Sequence, residues 1–124
     1  MTTLGPNQTR WIEALRSNQY QQGREYLHNQ DSFCCLGVAC AIFPDQAGQA
    51  LPDPDDPLIY EYNGNASTAP LGIVDHLGLF GYCGESRDCK QNEKLTALND
   101  KGHTFLEIAD LLTAHPEAYF SEPL

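Results

Sequence analysis

Positive charge is what this chain has least of. Its 124 residues include seven lysines and arginines against 17 aspartates and glutamates, for a net charge of −10. A surface so poor in cations repels a phosphate backbone, which argues against direct nucleic-acid binding. Charged residues of both signs make up only 19% of the chain, below the roughly 25% of average globular proteins. The hydrophobic share of 41% is nonetheless enough to fill a core, so wholesale disorder is excluded. At this length one domain, residues 1–124, is expected.

Long apolar runs are also missing. No stretch approaches the roughly 20 residues that span a bilayer, and the segment from Met1 to Arg10 lacks the basic-then-apolar order of a secretory signal. The expectation is a soluble, cytoplasmic protein with no membrane partner. Five cysteines are an odd number, and without a secretion signal they predict free thiols rather than a disulfide framework. The sequence holds no internal repeat, no low-complexity tract, no phosphate-binding glycine loop and no G-x-S-x-G elbow. It calls for no cofactor.

What the sequence does contain is helix punctuation. A first helix is expected from about Gln8 to Asn18, capped by Asn7 or Thr9, with Trp11, Ile12 and Leu15 on one face and Trp11 as a core anchor. A polar linker from Asn18 to Gln30 follows, with Gly23 in its middle and Tyr20, Tyr26 and Leu27 pointing inward. From Phe33 to Phe43 there is no charged or strongly polar side chain. Asp31 and Ser32 precede this run as possible caps and Pro44 stops it, so it reads as a helix surrounded on every side, with a buried strand as the competing assignment. Gly37 within it would let a neighbour come close.

Residues 44–57, ending in Leu-Pro-Asp-Pro-Asp-Asp-Pro, read as a surface loop. Leu58 to Tyr62 reads as a short strand, and Asn63-Gly64 as a type I′ turn with a poor second strand after it. Pro70 in a first turn capped by Ser67 or Thr68, then Leu71, Val74 and Leu77, with Gly78 as the stop, predict a third helix. A loop from Gly81 to Lys90 leads to a fourth helix capped by Asn92, with Leu95 and Leu98 inward, ending near Asn99-Asp100-Lys101-Gly102. Thr104 and Glu107 form a T-x-x-E capping box for a last helix with Phe105, Ile108, Leu111 and Leu112 as its stripe and His115 and Pro116 as its end. The fold class expected is mainly α (α+β): a compact bundle of about five short helices around a buried central helix, with a small β-hairpin-like element.

Three segments, Trp11-Ile12-Glu13-Ala14-Leu15-Arg16-Ser17, Phe33-Cys34-Cys35-Leu36-Gly37-Val38 and Leu98-Asn99-Asp100-Lys101-Gly102 followed by Phe105 and Glu107-Ile108-Ala109, together resemble a group of small uncharacterised bacteriophage and prophage proteins. The matching stretches cover about a third of the chain. That group has no established activity, so the resemblance implies a viral or mobile-element setting and assigns no catalytic residue. The loop from Gly81 to Lys90 falls outside the pattern.

Few residues carry chemistry. Cys34 and Cys35 fall in the first turn of the apolar helix, where the helix dipole favours a thiolate. Burial and the nearby Asp31 act in the opposite direction. A cysteine enzyme would need His28, His76 or His103 as its base. Cys83 and Cys89 could form a disulfide or join His76 or His103 around zinc, although C-x5-C is not a usual zinc-knuckle spacing. Asp53, Asp55 and Asp56 miss the EF-hand register, because Leu58 stands where Gly is needed and Gly64 where Glu is needed. They form instead an acidic surface for a basic partner. Asn99, Asp100 and His103 are the polar groups available to a small, nucleotide-like ligand. The stretch from Leu95 to Leu112 looks like half of a helix-turn-helix, without room for a recognition helix. The leading expectation is a non-enzymatic phage-type binding protein that modulates a host protein through an acidic surface; the alternatives are a small-ligand binder and a cysteine-dependent enzyme.

Overall fold

The computed structural model describes residues 4–88 and 94–124. Helix α1 spans Pro6–Arg16 and starts two residues earlier than expected, capped by Gly5 rather than by Asn7 or Thr9. Pro6 at the first helical position has no N–H to leave unpaired, and the Gln8 Oε1 accepts the Gly5 N–H at 2.9 Å. Gln8 is fully buried, and its Nε2 donates to the Leu77 carbonyl at 2.9 Å and the Glu122 carbonyl at 2.7 Å. The free N–H groups of Asn7 and Gln8 donate to the Leu124 main-chain oxygen at 2.8 and 3.2 Å. Trp11 is the anchor expected, with no exposed surface and its Nε1 donating to the Cys35 carbonyl at 2.9 Å.

The stretch read as a polar linker and the residues after it contain three two-residue strands: β1 (Gln21–Gln22), β2 (His28–Asn29) and β3 (Ser32–Phe33). Helix α2 (Cys35–Ile42) follows, flanked by α1 and β3. It is helical as expected and buried at every position from Cys35 to Cys40. Its cap is Cys34 rather than Asp31 or Ser32; Ser32 belongs to the sheet. Gly37 is required here, since a Cβ at this position would overlap the Leu27 carbonyl.

Pro44 ends α2 but also opens a one-turn helix, α3 (Pro44–Ala47), and strand β4 (Ala50–Pro52) comes next. The surface loop is thus confined to the residues between β4 and β5 (Ile59–Tyr62). After β5, Asn63 and Gly64 take φ values of 52° and 82°, and Tyr62 and Asn65 exchange hydrogen bonds of 2.9 and 3.0 Å. This is the type I′ turn predicted, closed by a single bridge with no strand beyond it.

Helix α4 (Leu71–Leu77) ends at Gly78 in the left-handed conformation. It buries Ile73 and Leu77, while Leu71, expected inward, is 54% exposed. Helix α5 (Leu95–Asp100) begins after Lys94, and the expected cap Asn92 lies outside the described residues. Helix α6 (Phe105–Ala114) has the expected capping box: Thr104 Oγ1 accepts the Glu107 N–H at 3.1 Å, and Glu107 Oε1 accepts the Thr104 N–H at 2.9 Å. Helix α6 ends before Pro116 as expected but is not the last helix, because Pro116 starts α7 (Pro116–Tyr119), which carries Tyr119 and Phe120 back into the core. The Phe120 ring meets Trp11 edge-on at 6.2 Å.

The fold is therefore α+β, and the expectation of a helical bundle with a small hairpin is corrected by a five-stranded mixed sheet in the order β1-β3-β2-β5-β4. Only β1 and β3 run parallel. One register row crosses the whole sheet, from Gln22 through Phe33, His28 and Tyr60 to Pro52. Within it the His28 ring lies stacked between Phe33 at 4.2 Å and Tyr60 at 4.3 Å, and its Nδ1 is 3.0 Å from the Tyr62 hydroxyl. Desolvation in this stack pulls the imidazole pKa below its ordinary value, against the opposing influence of the Gln30 backbone and Asp31. At the far edge, the Asp53 main-chain N–H donates to the Ile59 carbonyl at 2.7 Å. By strand alternation this turns the nitrogen of Pro52 toward the open edge, where a missing N–H breaks no ladder bond.

Two consequences are measurable. Gly37→Ala should destabilise the protein by roughly 3 kcal/mol through overpacking against a fixed backbone, seen as a fall in Tm of roughly 10 °C or more; an unchanged Tm refutes the close packing described. His28 binds its proton less readily folded than unfolded, so the unfolded chain takes up protons first as pH drops below about 6.5 and stability falls with it. The urea midpoint should be lower at about pH 5.5 than at about pH 7.5, and His28→Gln should flatten this dependence. A residual slope is expected from His76, whose pKa is also lowered, by desolvation and then by Arg10.

Candidate functional site

The thiols come first, because a reactive cysteine would decide the chemistry. Cys34 sits at the cap of α2, where its Sγ accepts the Gly37 N–H at 3.4 Å in the place usually filled by a serine or aspartate oxygen. Burial pushes its pKa up to about 11. Cys35 has no exposed surface, its Sγ lies 3.7 Å from the Leu95 carbonyl, and burial raises its pKa well above the ordinary value; Cys40 is raised for the same reason. Desolvation thus overrides the helix dipole at Cys34 and Cys35, while Cys40, in the second half of α2, has no such dipole in its favour. Cys34 borders a cavity of about 200 Å³ together with Cys83, Thr96, Glu25 and Asp100, and no histidine lines it. His28 is in the sheet, His76 packs edge-on against Phe43 at 4.5 Å, and His103 opens the turn into α6. Among the described residues, no three His, Cys, Asp or Glu side chains are placed to hold a metal ion. Cys89 lies outside those residues.

Asn99, Asp100 and His103 do not converge on one cavity. Asn99 is fully buried and its amide is spent on the scaffold: Oδ1 accepts from the Cys35 N–H at 3.2 Å and from Gln22 Nε2 at 2.9 Å, while Nδ2 donates to the Gly23 carbonyl at 2.7 Å. Asp100 lines the Cys34 cavity, where its Oδ1 accepts the Glu25 N–H at 2.8 Å and supports the left-handed backbone of Glu25. His103 lines a different groove of about 350 Å³ between α5, α6 and α7, floored by Leu98, Ile108, Leu111 and Tyr119 with Glu107 at its rim.

The three aspartates lie together on the β4–β5 hairpin. Asp53 Oδ1 accepts the Asp55 N–H at 2.7 Å, and Asp56 Oδ1 accepts the Leu58 N–H at 3.2 Å, so two of the three carboxylates hold the loop in shape. Asp53 and Glu61 interact across the hairpin: the Asp55 N–H and then Glu61 lower the Asp53 pKa, and Asp53 raises that of Glu61. Leu51 and Leu58 flank the tip and are 55% and 49% exposed. Neither leucine was singled out from sequence, because a lone apolar residue beside prolines has no periodicity to reveal its direction.

A family model described as a domain of unknown function (DUF8296) matches residues 7–116. The chain belongs to this family. The matched span runs from the first turn of α1 to the first residue of α7 and includes the sheet, the Asn99 network and the hairpin. No curated protein and no solved structure matches the chain. No helix among the described residues is long and apolar enough to cross a membrane.

Alkylation with iodoacetamide tests the thiol environments. In the native protein at about pH 8, Cys34, Cys35 and Cys40 should stay unmodified and Cys83, the one partly exposed thiol of the four described, should label first. Peptide mass spectrometry reads each site, and rapid native labelling of Cys34 would restore it as a nucleophile candidate.

Proposed function

We propose that the protein is a non-enzymatic, phage-type binding protein whose β4–β5 hairpin docks on a basic surface of a host protein in the cytoplasm. The observation that carries this reading is the composition of that hairpin. Asp53, Asp55 and Asp56 stand between two outward leucines, Leu51 and Leu58, on a loop braced by its own side chains, with Glu61 opposite Leu51 on β5. Exposed apolar groups ringed by like charge suit an interface in which the leucines enter a recess and the carboxylates meet lysines or arginines.

The surroundings add to this. No lysine or arginine occurs between Arg24 and Arg87, whereas Glu25, Asp31, Asp45, Asp53, Asp55, Asp56, Glu61, Asp75 and Glu85 all do. No cation within this stretch of sequence offsets its negative charge, whose field would steer a basic partner toward the hairpin. The buried, protonated thiols and the absence of an imidazole at Cys34 support the non-enzymatic part of the reading.

The combined substitution Asp53→Asn, Asp55→Asn and Asp56→Asn tests it, since asparagine keeps the Oδ1 acceptors that shape the loop. Host proteins retained by the immobilised wild-type chain should be lost by the variant and released by about 0.5 M salt. The variant's own stability should change by no more than about 0.5 kcal/mol. If the same proteins bind both forms equally, the hairpin is not the docking surface.

A further inference from the structure

The groove between α5, α6 and α7 lies away from the hairpin and shares no residue with it. Its volume of about 350 Å³ falls within the roughly 300–1,000 Å³ of small-molecule sites. Leu98, Ile108, Leu111 and the Tyr119 ring give it a mostly apolar lining, and the titratable groups His103 and Glu107 are four residues apart on it.

Glu107 uses its two carboxylate oxygens differently. Oε1 is fixed by the Thr104 N–H at 2.9 Å, which sets the orientation of the whole carboxylate. Oε2 has no hydrogen-bond donor among the described residues, its closest approach to a basic group being 3.9 Å from His103 Nδ1. The capping box needs only one carboxylate oxygen, which leaves the second, on a side chain 59% exposed, free at the edge of the groove.

From this arrangement we propose that the groove is a small-molecule site for an apolar cation, a primary aryl- or alkylamine. The ammonium group sits on Glu107 Oε2 beside the His103 ring, and the hydrocarbon body lies along Leu98, Ile108 and Leu111. Charge selects the class of ligand. The full charge of the carboxylate outweighs the roughly half-unit positive end of α6, and the net charge of −10 adds to the bias against anions. Phosphates and carboxylic acids are thereby disfavoured at this groove. The preorganised carboxylate gives an ammonium group a charge-assisted bond that a neutral isostere cannot match.

Amide NMR titration of the full chain at about pH 8 with 2-phenylethylamine, 2-phenylethanol and 3-phenylpropionate tests the assignment. Saturable shifts are expected at Leu98, Ile108 and Leu111, with the amine binding about tenfold or more tightly than the carboxylate and the alcohol between them. Glu107→Gln keeps an acceptor for the Thr104 N–H, as glutamine does in capping boxes, and should lower amine affinity to that of the alcohol with little change in Tm. Leu111→Trp, which fills the groove, should abolish the shifts from all three compounds. The proposal is overturned if the amine gives no saturable shift up to about 10 mM, or if the wild-type protein binds carboxylate and amine equally. The hairpin reading stands or falls separately, since the salt-sensitive capture that tests it does not involve these residues.

Discussion

Cys35 has both of its main-chain polar groups answered by side chains from distant parts of the chain: Asn99 accepts its N–H and Trp11 donates to its carbonyl. Helix α2 brings no charged or strongly polar side chain of its own, so it can be enclosed only if its neighbours supply the hydrogen bonds its end requires. Through those two contacts α1 and α5 are held against it. Asn99 goes on to bind Gln22 and Gly23, which ties the first strand of the sheet to the same point. An unsatisfied polar group in such a place costs about 1–3 kcal/mol, so the network specifies one packing of helices and sheet over its alternatives.

This dependence explains which parts of the fold were legible in the sequence. Trp11, the Thr104–Glu107 box, the Asn63-Gly64 turn and the buried α2 segment each have their cause within a few residues of chain, and all were read correctly. Of the sheet only β5 was legible, as the strand expected from Leu58 to Tyr62. The other four strands are two or three residues long and built partly from Gln, His, Asn and Ser, too short for alternation to register and stabilised by partners that only the folded chain brings together. The start of α1 was misplaced because its N–H groups are satisfied by Leu124, over a hundred residues away, rather than by a local cap.

The candidate sites follow the same division. Asn99 and Asp100 were noticed because they are polar groups clustered at a helix end, and that polarity serves the interior: one bonds α2, the other supports the strained Glu25 backbone. The acidic hairpin was visible as three aspartates, while its exposed leucines needed coordinates. The lack of any cation between Arg24 and Arg87 was present in the sequence throughout, but a single net charge for the whole chain averages it away. Glu107 was read correctly as a cap; the availability of its second oxygen depends on where α5 and α7 pack.

A five-stranded sheet has two margins, and an unpaired margin invites copies of a protein to zip together into oligomers or fibres. At the β4 margin a pyrrolidine ring occupies the position from which an incoming chain would need a donor, with aspartates directly beyond it. Crowded copies of this protein thus gain little from lining up there.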